Sequence, residues 1–531
     1  ADDHGRFTRR MANQPEGARQ GVQVNDNSPS RTAVDWSGDF WVSNRAFGGQ
    51  SSVSKIANDL ANCVDRNGTP GIQTSSDVND DGLIDTDCNR NGVPDDVADV
   101  KGKPCNNGKP QEFYSLDDEC ILFTTNTNTP DQYGRPLALG PGTIDNGVSD
   151  AWAGGYQNGA FFRVDGTSGK IKAQGMVPGQ PYGATVDSTG ILWAPGLAGS
   201  GLFYLDTKNP QNAGKTRDPA GGLGGYGIAL DRDQNVWVGG YPNPHAYRYT
   251  PDRTNGLTSI GKGFWTVVQS PGEGHGANGC QGRGIAADSR TPQNYFVWMA
   301  CHGAPFIVRI DGSIPLPVGQ DRVVDGRMMP AIQVPGSAIC GAGVDVQQNV
   351  WAISSGPAIA TRIVVDMAGN PTQPDLGGAP GGNGCPVGKG DFCGLGMAAV
   401  DPNVTGYTYS DFTGFGLRNF TNPKGEYTLI IKGCDGSPTK WLRAEWDAAV
   451  PPNTALSFRS RTGNTGMPDN SWGMWTSPLD TSPADLSGMS GPMPAGLTYL
   501  QIKFTFTTMD KAATPRLKAF RVLYECDVNP G

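Results

Sequence analysis

The chain has 531 residues and a net charge of −9, long enough for two or three cores and repelled by nucleic acid and anionic membrane surfaces. It contains no apolar run of 18 residues or more, so no membrane-spanning helix is encoded. Gly (76) and Pro (41) are abundant, and only seven of the 51 acidic residues are Glu. That composition favours short strands joined by tight turns over helices, because Gly, Pro and Asp make turns whereas Glu builds helices.

Residues 1–30 are polar and are expected to form an amino-terminal arm that docks on a neighbour or stays a tail. The sequence starts at Ala1 without Met, the form expected after removal of a signal peptide. Eleven cysteines fit an extracellular or periplasmic chain with several disulfides and one thiol left over.

From residue 31 an internal repeat begins. "TAVDWSGDFW" ends at Trp41, "GATVDSTGILW" at Trp193, "GIALDRDQNVW" at Trp237 and "GAGVDVQQNVW" at Trp351. Each is a small alternating strand, then Asp, a polar turn, and Trp six residues after the Asp. "GIAADSRTPQNYFVW" is the same unit with a longer turn, "GMAAVDPNVTGY" ends in Tyr407, and the copy around Trp152 is degenerate. A second strand follows most copies, as in "AFFRVDGTSGKI" and "FIVRIDGS". The units lie mostly 41 to 61 residues apart, close to the length of a four-stranded propeller blade. The Asp is expected to cap the turn, the Trp to fill the space between blades, and a preceding Gly to permit close approach near the axis. Seven blades are the preferred count, with six or eight open, over residues 31–424.

The signature "YGIALDRDQNVWV" resembles the blades of the streptogramin (virginiamycin B) lyase-like and NHL propellers. That resemblance implies an all-β propeller for residues 31 to about 420. It leaves activity open, because such propellers host lyases, lactonases and binding proteins alike.

An insertion, read as residues 60–132, interrupts the first blade. Inside it "DVNDDGLIDTDCNRNGVPDD" holds two loops in register: Asp77, Asn79, Asp81, Gly82 and Asp85, then Asp87, Asn89, Asn91, Gly92 and Asp95. Oxygen side chains at loop positions 1, 3, 5 and 9 with Gly at 6 form the first half of an EF-hand-type calcium loop. The usual Glu at position 12 is replaced by Cys88 in the first copy. That departure resembles the thrombospondin type 3 repeat, in which Asp-rich loops share calcium and are pinned by disulfides. The expected cofactor is therefore structural Ca2+, held by those eight Asp and Asn residues.

Residues 425–531 change texture. "YLQIKFTFTTM" places Leu500, Ile502, Phe504 and Phe506 on one face and Gln501, Lys503, Thr505 and Thr507 on the other, the pattern of a β-sandwich with solvated outer faces. Cys434 and Cys526 stand at its two ends and are expected to pair. The domain loosely resembles the jelly-roll modules that follow extracellular propellers.

The catalytic candidates are Glu273 and His275 in "PGEGHGANGC", with His302 and His245 near in blade order. The lyase resemblance implies a general base and a magnesium ligand at the propeller mouth, but the expected second carboxylate–histidine pair is missing. The preferred reading is therefore a secreted, calcium-stabilised binding or scaffold protein, or a subunit of an extracellular assembly. Its expected partners are other extracellular proteins, glycans or copies of itself. A lyase or lactonase with a divalent ion at the mouth is the alternative.

Overall fold

The computed structural model describes residues 29–46, 51–140 apart from 69, 77–111, 113, 115–116 and 128–132, and 149–270 apart from 198. It further describes 280–372 apart from 291–294, 318 and 357, then 397–399, and 407–435 apart from 410 and 422–423. The last described stretches are 439–508, apart from 453, 469–471, 474, 477 and 488–497, and 513–526. The chain separates into two compact units, residues 1–141 with 148–421, and residues 142–147 with 422–531.

The first unit is an all-β propeller. Six sheets follow one another in sequence, and their innermost strands are Pro29–Val34, Gly134–Leu139, Thr185–Val186, Ile228–Leu230, Gln281–Ala287 and Ile339–Val344. Within each sheet neighbouring strands run antiparallel and outward, and the fourth sheet gains a parallel edge strand, Arg322–Val324. Consecutive inner strands touch one another from the first sheet to the sixth. Glycine makes that approach possible: a Cβ on Gly227 would lie 2.3 Å from the Arg283 carbonyl oxygen, and one on Gly284 2.7 Å from that of Cys340.

The six-residue Asp-to-Trp spacing now has a cause. Asp35, Asp187, Asp231 and Asp345 each end an inner strand, and the Trp sits on the next strand across a tight turn. One carboxylate oxygen accepts from the Trp indole at 2.9–3.0 Å in Trp41, Trp193, Trp237 and Trp351. The other accepts the backbone N–H groups two and four residues on, as with Asp233 and Asn235 on Asp231 at 2.9 Å. Asp288 does the same across its longer turn, taking Trp298 at 3.0 Å and Phe296 N at 2.7 Å. Three residues after the Asp the backbone is left-handed, at Gly38 (φ 87), Gly190 (φ 88), Gln234 (φ 63) and Gln348 (φ 66). The two glutamines use that strained position to reach the preceding blade, accepting from Ser188 N at 2.7 Å and Ser289 N at 3.1 Å.

The copy ending at Tyr407 forms no sheet of its own among the described residues, where seven blades were the preferred count. Met397–Ala399 pairs as the outer strand of the sixth sheet. Residues 407–421 instead run along the axis. Thr408 Oγ1 bonds Thr32 Oγ1 at 2.6 Å on the first blade, and Gly341 of the sixth blade abuts the Thr408 carbonyl. Further on, Asp411 and Phe415 face the inner strands around Ala184, Ile228, Ile285 and Gly343, and Leu417 faces Ala33 and Leu137–Leu139. Gln234 then donates to the Phe420 carbonyl at 2.7 Å. Phe415, Leu417 and Phe420 are buried against the blades' apolar cores.

The insertion is shorter than the sequence indicated. Ile121–Asn126, read as part of it, is the fourth strand of the first sheet, pairing with Ser52–Ile56. The excursion leaves after Ala57 and returns at Cys120, where Ala57 N donates to the Cys120 carbonyl at 2.8 Å. A Cys63–Cys120 disulfide closes its base. Constraining a loop of that length contributes roughly 4 kcal/mol in the chain-entropy account.

The second unit holds two three-stranded antiparallel sheets. In one, Tyr499–Thr508 lies between Lys424–Lys432 and Thr454–Gly463; in the other, Thr439–Ala449 lies between Ala484–Asp485 and Arg516–Cys526. Trp441, Phe458, Leu500, Ile502 and Phe504 form its core, drawn from both sheets. The Cys434–Cys526 disulfide is present as expected. The opposite face of Tyr499–Thr508 is not simply solvated: Gln501 is buried and accepts from Arg461 Nε at 2.7 Å, and Lys503 Nζ lies 4.9 Å from the Trp475 ring centre. Aromatic residues from the 472–475 loop cover that face.

Candidate functional site at the propeller mouth

One end of the propeller is where the inner strands begin and where second strands turn into third strands. The residue five before the motif Asp stands at this end, and it is Tyr182, Tyr226, Arg283 and Cys340 in four blades. Arg31 and Arg135 start their inner strands here, and Arg45, Tyr156, Tyr241, His245 and His302 occupy the second-to-third turns. Residues 407–409, entering the axis at this end, add Tyr407 and Tyr409. The result is a ring of tyrosines laced with guanidinium groups.

The packing is close. Arg31 is buried, with its guanidinium 3.1 Å from the Tyr409 ring centre and donating to the Tyr182 carbonyl at 2.8 Å and the Tyr226 carbonyl at 3.2 Å. Arg45 lies 4.7 Å from the Tyr407 ring, Arg135 4.6 Å from Tyr182, and Arg283 4.5 Å from Tyr226 and 5.2 Å from Tyr241. Such cation–π contacts stabilise by about 0.5–2 kcal/mol each, more where water is excluded. The phenols form a hydrogen-bonded cluster: Tyr182 meets Tyr226 at 3.1 Å and Tyr407 at 3.0 Å, Tyr226 also meets Tyr407, and Arg135 donates to Tyr182 at 2.8 Å.

The electrostatics follow from that crowding. Burial raises the Tyr182, Tyr226 and Tyr409 phenols above their ordinary value. Burial also pushes Tyr407 up, but hydrogen bonds from Tyr182 and Tyr226 and the charge on Arg135 outweigh it and hold Tyr407 down to about 8. Arg45 is lowered by burial and then by repulsion from Arg135. Besides burial, the described tyrosines act on Arg31, Arg45 and Arg135, and Arg135 acts on Arg45. Among the described residues the mouth is aromatic, rich in hydroxyls and lined by guanidinium groups.

The histidines singled out from sequence are partly resolved into this picture. His245 and His302 both lie at the mouth. His245 is lowered by burial and its Nδ1 accepts from Ser270 N at 3.3 Å, while His302 is lowered by burial and by Arg283, which leaves both neutral near pH 7. Glu273 and His275 lie outside the described residues. So do Asp77, Asn79, Asp81, Asp85, Asp87, Asn89, Asn91 and Asp95. The described base of the insertion commits its carboxylates to backbone donors: Asp118 Oδ2 accepts Ser75 N at 2.7 Å, and Glu119 accepts Arg66 N at 3.0 Å and Gln73 N at 2.9 Å. Asp65, in the "CVDRNG" segment read as a decayed loop copy, caps Asn67 N and Gly68 N. Among the described residues no cluster of three or more His, Cys, Asp or Glu is placed to hold a metal.

The tyrosine–arginine ring was missed in the sequence. Its signal was present, in the Tyr-Gly pairs before two inner strands and in "TGYTYSD", but these read as strand starts until the ring brought them together.

No protein-family model matches the chain, and no curated protein matches it. Among solved structures it is similar to virginiamycin B lyase from Staphylococcus aureus, at 16% identity and a TM-score of 0.39 over 66% of this chain and 86% of that one. A streptogramin B lyase matches at 17% identity and a TM-score of 0.35, over 47% of this chain and 71% of that one. Regucalcin, a calcium-binding protein from Agrobacterium tumefaciens, matches at 11% identity and a TM-score of 0.32, over 61% of this chain and 81% of that one. At such values the propeller assignment stands on the chain's own sheet order.

Proposed function

We propose that this is a secreted, calcium-stabilised propeller protein that binds an extracellular partner and acts as a scaffold. The observation that carries the reading is the mouth, where Arg31, Arg45, Arg135 and Arg283 surround the entrance and the axis behind it is filled by residues 407–421. A divalent ion is repelled by such a group of guanidinium charges, so the described mouth does not fit the ion that the lyase resemblance implies. Three disulfides, Cys63–Cys120, Cys280–Cys301 and Cys434–Cys526, support an oxidising compartment.

What supports calcium is the doubled pattern of oxygen side chains at Asp77, Asn79, Asp81 and Asp85 and at Asp87, Asn89, Asn91 and Asp95, with Gly82 and Gly92 in register. The role assigned to it is structural, ordering the insertion beyond its disulfide-closed base. We read the second unit as an adhesive β-sandwich, a reading supported by Tyr427, Leu429 and Tyr524, which are exposed on its strands.

The test is a turnover screen of the purified chain on lactones and cyclic esters with added magnesium or manganese. The expected result is a rate equal to buffer. Turnover that is abolished by a chelator and by His275→Ala would overturn the binding reading in favour of a lyase or lactonase.

A further inference from the structure

We propose that Lys55 and Asp39 join in an intramolecular amide bond, which the folded chain forms by itself inside the first blade. The three groups concerned are shut away from water: Lys55 is 3% exposed, Asp35 0% and Asp39 4%. Lys55 Nζ lies 3.0 Å from Asp35 Oδ2 and 3.2 Å from Asp39 Oδ2, and it donates to the Gly166 carbonyl at 3.0 Å. The Trp41 ring centre stands 5.5 Å away. Asp35 is committed to the Trp41 indole at 3.0 Å and to Ser37 N and Asp39 N at 2.9 and 3.0 Å. Asp39 accepts the Asn58 N–H at 3.1 Å with its other oxygen. Burial and then the Asp35 charge raise the Asp39 carboxyl, and a neutral carboxyl is the form an amine can acylate.

The other blades show that this arrangement is peculiar to the first. The residue paired across the strands with the motif Trp is Arg163, Arg248, Arg309 or Arg362 in four sheets and Tyr204 in a fifth. In the first sheet it is Lys55, opposite Trp41. Four residues after the motif Asp stand Asn235 and Asn349, whose amides bond back to Asp231 and Asp345 at 3.0 and 3.1 Å. In the first blade that position is Asp39. A guanidinium keeps its proton and is no nucleophile, whereas a lysine freed of its proton is one. The first blade thus sets an amine and a carboxyl where its siblings set a guanidinium and an amide.

The chemistry needs no partner. A proton passes from the Lys55 ammonium to the Asp39 carboxylate, and the free Nζ attacks Asp39 Cγ. Asp35 takes a proton from the attacking nitrogen and returns it to the departing hydroxyl. The Nζ–Cγ bond forms, a Cγ–O bond breaks, and an ammonium and a carboxylate become one amide and one water, with nothing oxidised or reduced. Fixed contact between the reacting groups lowers the barrier, and the exclusion of water disfavours hydrolysis of the product. The amide also removes two charges from a dry site. Lys55 stands two residues before Ala57, where the insertion departs, so the bond would brace its root beside the Cys63–Cys120 disulfide.

The experiment is tandem mass spectrometry of a tryptic digest of the purified full chain, unfolded and with its disulfides reduced before digestion. The expected product is residues 32–45 joined to residues 46–66, lighter than their sum by one water and uncut after Lys55. Fragment ions are expected to place the link at Asp39. Lys55→Arg, which restores the cation of the other blades, is expected to give the separate peptides at full mass, as is Asp39→Ala. Complete cleavage after Lys55 in the wild-type chain, with both peptides at full mass, would show an ion pair only and overturn the proposal. A water loss that persists in Lys55→Arg, or a link that maps to Asp35, overturns it too.

Discussion

At the residue scale, the repeated Asp acts as a hub. Asp231 is fully buried and accepts from two backbone N–H groups, the Trp237 indole at 2.9 Å and the Tyr295 hydroxyl at 2.7 Å, the last from the neighbouring blade. Asp231→Ala leaves these donors unmet in a dry site, so urea unfolding is expected to show a loss of about 3 kcal/mol or more. Asp233→Ala, on the exposed side of the same turn, is expected to stay within about 0.5 kcal/mol. Tyr407 makes a separate prediction. Its phenol releases a proton at about 8 in the folded chain and nearer the ordinary phenol value once unfolded. The stability this group contributes is therefore present above that window and lost as pH falls through about 8. Tyr182, Tyr226 and Tyr409 face it with raised values, and Arg45 and Arg135 face it as cations. Ultraviolet titration of the native chain is expected to show one tyrosinate appearing near pH 8, absent in Tyr407→Phe. A native titration with no tyrosinate below the ordinary range would show that the hydrogen-bonded cluster does not form.

At the element scale, the axial segment and the insertion are the two departures from a plain ring of blades. Phe415 and Phe420 are buried in the core shared with Val344, Ala287 and Trp298. Phe420→Ala is expected to cost about 3–5 kcal/mol, as for a well-packed core position. An exposed plug would lose far less, and a small effect in chemical denaturation would argue that residues 407–421 do not fill the axis. For the insertion, Asp81→Ala with Asn91→Ala is expected to lower the melting temperature in calcium and to have little effect in chelator. An unaltered melting temperature in calcium would remove the metal loops. The sequence displayed both elements unevenly. The strand pattern of Ile121–Asn126 was hidden because the acidic run around it drew the whole stretch into one insertion. The segment ending at Tyr407 kept the repeat spacing while its strand joined the sixth sheet, and spacing alone cannot tell a blade from a strand lent to its neighbour.

At the scale of the whole molecule, the propeller was legible because its periodic element is chemical as well as spatial. Asp and Trp six residues apart are joined by a hydrogen bond across a turn, so the pattern survives in the sequence wherever the geometry is kept. The second unit was legible for a similar reason, since Leu500, Ile502 and Phe504 alternate into its core and Cys434 and Cys526 mark its ends. Its outer face was not, because the residues that cover Gln501 come from a loop around Trp472 and Trp475 with no period to announce it. The mouth was the least legible part. Arg31, Tyr182, Tyr226, Arg283 and Tyr409 are scattered between positions 31 and 409, and only ring closure makes them neighbours.

Metal content tests the central claim most directly, measured per chain by plasma mass spectrometry after exhaustive dialysis, on the intact protein and on a variant whose insertion is replaced by a short linker. About two calcium ions in the intact chain and none in the variant is the expected result, placing all bound metal in the Asp-rich loops. A divalent ion that persists in the variant would contradict it, because an ion would then be held by the propeller itself, where an arginine-lined mouth should repel one.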